Sequence, residues 1–224
     1  MSSNYRQRPL FHDVIAAQHN LSLIASWSRG EMIILITTVH VARVSMVDPR
    51  AIIDLAPMAP HYAARALNDD LPISARREAA GVGALLRDVL GVYEDTQLVR
   101  SSFGKPELAD ANAPSISISH AAGTVVLAVS EAAQLSGGPI GVDIESMDEV
   151  SPLAVSRMAT TEERAWIDAV GNRRERCRRM CQVWTRIEAV LKAQGSGFSV
   201  DPGKDGLPDG WKVSFAEYDG SVIS

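Results

Sequence analysis

Residues 115–130, SISISHAAGTVVLAVS, constrain the fold more than any other stretch. The first half alternates serine with isoleucine, the period of a strand whose two faces differ. The second half, TVVLAVS, is a β-branched apolar run, and Ala122–Gly123 sit between the two where the chain can reverse. The segment reads as a hairpin, or as two strands bent at that point. Helical patterns stand on either side. Ala79, Val82, Leu85, Leu86, Val89 and Leu90 recur at helical spacing between Arg76 and Leu90, and Gly91 follows as a stop. A second helix spans about Arg173 to Gln194 and ends at Gly195. Thr160 to Glu163 spells the capping box T-x-x-E and opens a helix with Trp166 and Ile167 on one face.

Elsewhere the pattern is weaker. Leu21–Trp27 reads as a strand, while the isoleucine-rich Met32–Thr38 fits a strand or a buried helical turn. Residues 101–114, SSFGKPELADANAP, read as a loop rich in breakers. A division into an N-terminal part, residues 1–110, and a C-terminal part, residues 111–224, falls there. Ser136–Pro139 reads as a turn and Ile140–Glu145 as a short strand.

With 224 residues, 46% of them hydrophobic and 22% charged, the chain suits one large domain or two small ones packed together. A net charge of −5 argues against a general nucleic-acid binder. Cys177 and Cys181 make no disulfide framework, and no histidine lies near enough to complete a zinc site; they read as free thiols in a reducing compartment. The most apolar stretch, Met32–Val47, contains His40 and Arg43 and is too short and too polar to span a bilayer. The first residues lack the apolar core of a signal peptide. A cytoplasmic protein without a membrane partner is expected.

Two segments carry candidate chemistry. In G-V-D-I-E, residues 141–145, Asp143 and Glu145 are two apart and share one face of a strand, with Val142 and Ile144 on the other. Paired carboxylates that leave positions to water and phosphate describe a Mg2+ site; a solvated strand edge is the alternative. In WTRIEAVLKA, residues 184–193, Glu188 and Lys192 lie one helical turn apart, above a side formed by Val190 and Leu191. They read as a surface ion pair, or as a third acidic ligand or base beside a phosphate clamp. Lysine is scarce, four against 18 arginines, and Lys105 and Lys192 fall in the segments of interest. Ser119–His120 ends the serine–isoleucine alternation, where an imidazolium can meet an anion. Neighbouring strand residues point to opposite faces, and no G-x-S-x-G elbow is present, which disfavours a serine hydrolase.

Together, FGKPEL, ISISHAAG, GVDIE and WTRIEAVLKA resemble, in order and spacing, the motifs of the Sfp-type 4′-phosphopantetheinyl transferases. The resemblance covers roughly Arg76 to Pro202 and leaves residues 1–75 without a motif. It implies an α+β fold of two similar α/β halves related by a pseudo-twofold axis, each a small antiparallel sheet on a long helix, with coenzyme A in the cleft between. It implies an enzyme that moves 4′-phosphopantetheine from coenzyme A to a serine of an acyl or peptidyl carrier protein and releases adenosine 3′,5′-bisphosphate. Asp143, Glu145 and Glu188 would hold Mg2+, or Mn2+ in its place. Lys192 would contact the phosphate of the leaving group, and Lys105, Ser119 and His120 would line the nucleotide and 3′-phosphate site. Glu188 would also serve as base, so that Glu188, Lys192 and Asp143 form the catalytic set. One chain holds both halves, so a monomer suffices.

Two positions depart from the family pattern. Ile187 stands where a lysine usually precedes the helix glutamate, and Gly83 stands where an arginine usually precedes the leucine pair. Arg186 is offset by about 100° from Ile187 around the helix. Arg76, Arg77 and Arg87 are candidates to compensate. These departures motivate an alternative: a weakened or inactive relative that binds coenzyme A or a carrier protein without transfer. The run Arg173, Arg174, Glu175, Arg176, Cys177, Arg178, Arg179 reads as a docking patch for an acidic carrier, or as a solvated basic helix.

Overall fold

The computed structural model describes residues 21–23, 26–28, 31–33, 37–130, 139–195, 197, 202–208 and 210–224. Apart from Pro139, the turn expected at Ser136–Pro139 lies outside them.

The alternating segment is a hairpin of β7 (Ser115–Ala121) and β8 (Thr124–Ser130), joined by Ala122 and Gly123, both at positive φ. On its other edge β8 pairs antiparallel with β4 (Thr37–Arg43) along seven residues, from Thr37↔Ser130 to Arg43↔Thr124. β1 (Leu21–Leu23) completes a four-stranded sheet of order β1-β4-β8-β7. Hydrogen bonds therefore bind β4, from before the division expected at residue 110, to a hairpin that comes after it. Two short pairs were only half legible. β2 (Ser26–Ser28) pairs with β3 (Glu31–Ile33), so Leu21–Trp27 contains parts of two strands rather than one. β5 (Leu98–Arg100) pairs with β6 (Pro106–Leu108) inside the stretch expected as loop.

One face of the four-stranded sheet is covered by helices: α1 (Pro49–Leu55), α2 (Pro60–Leu67) and, above all, α3 (Ile73–Leu90), which ends at Gly91. Val125, Leu127, Val129 and Ile116 from the strands meet Ala80, Ala84, Leu85 and Leu86 from α3 in one core. The departure at Gly83 has its cause here. A Cβ at that position would come within 2.5 Å of Met58 Sδ and 2.9 Å of Tyr62 Cβ, so glycine lets α2 and its leading turn close onto α3. An arginine there has no room and faces the core rather than a ligand.

The other face, through Val39, Val41, Val126 and Ala128, packs on Val142, Ile144 and Ile223. The last two belong to a second antiparallel sheet of β9 (Ile144–Ser146), β10 (Ala216–Tyr218) and β11 (Ser221–Ile223), in the order β10-β11-β9. This sheet is covered in turn by α6 (Arg173–Gln194), ended by Gly195, with α4 (Pro152–Met158) and α5 (Thr161–Asp168) beside it. The capping box at Thr160 and Glu163 forms as expected. The helix α7 (Pro202–Asp205) contacts α4. The fold is mixed, with small antiparallel sheets packed on long helices. Among the described residues, no helix is long and apolar enough to cross a membrane.

Candidate active site

The regular strand in Ile140–Glu145 is shorter than its sequence suggests: β9 begins only at Ile144. Asp143 nonetheless exchanges both backbone hydrogen bonds with Ser224, at 3.0 and 2.9 Å, one step beyond the ladder. Gly141 explains the irregular approach. A Cβ there would land on the carbonyl oxygen of Ala189 and lie 2.7 Å from the Ala193 nitrogen. The backbone of 140–142 is thus pressed onto α6, between the turns that carry Glu188 and Lys192, and only glycine permits that approach.

Two serines of the alternating strand do not face water. Ser117 and Ser119 are buried, with 1% and 6% of their surface exposed. Ser117 Oγ accepts a hydrogen bond from Val142 N at 3.0 Å, and Ser119 Oγ donates to Asp143 Oδ1 at 2.7 Å. The polar face of β7 therefore grips the incoming segment, residue by residue. Satisfied pairs of this kind are what allow polar groups to be buried.

Lys192 completes a triangle: its ammonium donates to Asp143 Oδ1 at 2.6 Å and to Ser119 Oγ at 2.8 Å. These groups line one cavity of about 350 Å3 with Ile118, His120, Ile144, Glu145, Trp184 and Glu188. Six of the seven residues expected at the site are therefore brought together from a strand end, the entry to β9 and one face of α6. Burial pushes the Glu188 carboxyl up to about 7; Asp143, and more weakly Glu145, add to this while Lys192 opposes it. Burial, with Asp143 next, also raises Glu145. The cavity gathers three carboxyl groups against a single lysine. Yet among the described residues no three acidic, histidine or cysteine side chains are gathered closely enough to hold a metal ion. The carboxylates share a wall without converging on a point, and Lys192 sits on the Asp143 oxygen.

The seventh residue, Lys105, does not line the cavity. Its ammonium donates to the Ile140 carbonyl at 3.0 Å, fixing the loop to the segment that leads to Asp143, and burial lowers its pKa. The arginines proposed to compensate for Ile187 and Gly83 are also committed elsewhere. Arg76 donates to the Ala66 carbonyl, Arg77 to Val47 and Arg87 to Ala56, each at 3.0 Å. Arg186 pairs with Glu163 at the start of α5. Ile187 itself is fully buried, beside Val183, Leu191 and Val222 in the core under α6. In the basic run, Arg176 pairs with Asp168, Arg178 with Glu217 and Glu175, and Arg179 with Glu175 while stacking on Trp166. The helix start is therefore far less basic than its sequence suggests. Cys177 and Cys181 are free thiols, as expected.

Sequence reasoning quoted Trp184 without giving it a role; its spacing of four and eight residues from Glu188 and Lys192 is the signal that places it in the cavity. It also missed Glu78, whose Oε2 lies 3.3 Å from His120 Nδ1 across the boundary between α3 and β7. A second cavity, about 290 Å3, is lined by His61, Tyr62, Asp95, Arg100 and neighbours, and gathers no comparable set of acids.

Residues 139–215 match the family model of the 4′-phosphopantetheinyl transferase superfamily. The match contains GVDIE and WTRIEAVLKA; FGKPEL and ISISHAAG lie before it. No curated protein matches the chain.

Proposed function

We propose that this protein transfers 4′-phosphopantetheine from coenzyme A to a serine of an acyl or peptidyl carrier protein, with Mg2+ or Mn2+ as cofactor. The observation that carries the proposal is the meeting of Ser119 and His120 with Asp143, Glu145, Glu188 and Lys192 in one cavity, the last four on the segment that matches the 4′-phosphopantetheinyl transferase superfamily. Two sheet-and-long-helix layers against each other also suit the two-half architecture with its pseudo-twofold axis.

The donor set fits a hard dication. All three acidic groups offer oxygen, and a cation among them would favour the charged form of Glu188, which burial first and Asp143 next disfavour. Asp143, Glu145 and Glu188 would hold the ion, which would supply charge neutralisation at the diphosphate. The protein's own groups do the rest. Ser119 orients Asp143. Lys192, freed from Asp143, follows charge onto the phosphate of the leaving group. Glu188, in the same cavity, would take the hydroxyl proton of the carrier serine, directly or through water. The serine oxygen then bonds to the phosphorus that bears phosphopantetheine, the bond to the bridging oxygen breaks, and adenosine 3′,5′-bisphosphate leaves with the electron pair.

Mass spectrometry of an apo carrier protein incubated with coenzyme A, Mg2+ and this chain tests the proposal. The carrier is expected to gain one phosphopantetheine. Coenzyme A binding without any gain, across several carriers, would favour the non-catalytic alternative.

A further inference from the structure

We infer that Glu78 is a positioning residue that sets His120 to receive the 3′-phosphate of coenzyme A. The inference rests on the transfer reading above. Arg76, Arg77 and Arg87 of α3 turn to backbone carbonyls, and no residue of α3 lines the cavity. Glu78 is different. It is 20% exposed, and its carboxylate faces the Nδ1 of His120, which stands at the end of β7 with half its surface in solvent.

An imidazole held only by its own strand has no reason to keep one orientation. A carboxylate against one ring nitrogen selects an orientation and leaves the nitrogen on the far side for a ligand. The ligand that needs it is a phosphate monoester on ribose. In the transfer reading Lys192 goes to the diphosphate beside Asp143, and Lys105 is turned to the Ile140 carbonyl. Of the residues lining the cavity, His120 then offers the nitrogen left to donate to a phosphate that lies away from the carboxylates. Glu78 stands behind the ring and outside the lining, so its charge meets the imidazole rather than the phosphate.

Calorimetry with coenzyme A and 3′-dephospho-coenzyme A, in the presence of Mg2+, reads this directly. The wild-type chain is expected to prefer coenzyme A. Glu78→Gln should cut that preference about fivefold, the upper range for a partly exposed charge contact, and leave dephospho-coenzyme A binding unchanged. His120→Ala should cut it at least as far, and adding Glu78→Gln to His120→Ala should change nothing more. A Glu78→Gln chain that keeps the wild-type preference, or that weakens both ligands equally, overturns the proposal and leaves the transfer reading standing. A wild-type chain that binds neither ligand overturns both.

Discussion

The two long helices are built alike and used differently. Both α3 and α6 are stopped by a left-handed glycine, and both cover a small antiparallel sheet. α3 buries nine residues, and its three arginines bind backbone carbonyls of neighbouring segments, Ala66 of α2 among them. It is a structural helix through most of its circumference. α6 also buries nine residues, Ile187 and Leu191 among them, yet Trp184, Glu188 and Lys192 line the cavity. The candidate chemistry lies with the helix that turns a carboxyl and an ammonium group to a cavity, and the close approach of Gly141 brings Asp143 and Glu145 to it.

Replacements on the chemical face of α6 and on its opposing segment should cost most in activity and least in fold. Asp143→Asn should lower transfer to a carrier by about 10²–10³-fold, the usual loss for one preorganised electrostatic contact, in a mass-gain assay. A variant retaining wild-type rates would remove Asp143 from the site.

Replacements on the packed faces should do the reverse. Ile187→Lys restores the residue usual in the family, yet it drives an ammonium into a fully buried apolar site. Urea unfolding should show a loss of several kcal/mol, about 3 or more. Faster transfer at unchanged stability would mean that this position faces the phosphates. Gly83→Ala should cost about 1–3 kcal/mol through collision with Met58 and Tyr62, although alanine is the better helix former by about 1 kcal/mol. A stabilised variant would contradict the close helix crossing.

A pH comparison sharpens the contrast between the two faces of α6. The Glu188 carboxyl has a higher pKa folded, about 7, than its ordinary 4.5. Its contribution to stability is therefore full below about 4.5 and is lost as pH rises through 7. Without metal, Glu188→Gln should gain stability relative to wild type as pH is raised from about 5 to about 8. A constant difference would mean that Glu188 is not crowded. The smallest effect concerns the thiols. Burial pushes Cys181 up to about 12, while Cys177 is only half-buried, so a thiol reagent at neutral pH should label one cysteine and leave activity intact.

Periodicity made much of this legible. Apolar spacing marked α3 and α6, alternation marked β7, and T-x-x-E marked the start of α5. Residue chemistry marked Asp143, Glu145, Glu188 and Lys192. What stayed hidden were contacts made across long stretches of chain. The alternation could not show that Ser117 and Ser119 point into protein, because a polar strand face reads the same whether water or another backbone covers it. The same blindness concealed Glu217, which cancels Arg178 from 39 residues away. It also concealed Ala189, whose carbonyl forbids a side chain at residue 141. Ile187 and Gly83 looked like missing charges; packing shows why their side chains are apolar or absent.

Under the proposed transfer, three carboxylates carried by the β9 segment and α6, held apart with Lys192 on Asp143, would gather around one dication as a diphosphate draws that lysine away. Electron paramagnetic resonance of Mn2+ titrated into the chain with and without coenzyme A tests it most directly. One bound Mn2+ per chain is predicted, tighter with coenzyme A and lost in Asp143→Asn, Glu145→Gln and Glu188→Gln. Mn2+ that fails to bind even with coenzyme A, or that binds equally well to all three variants, would contradict the account.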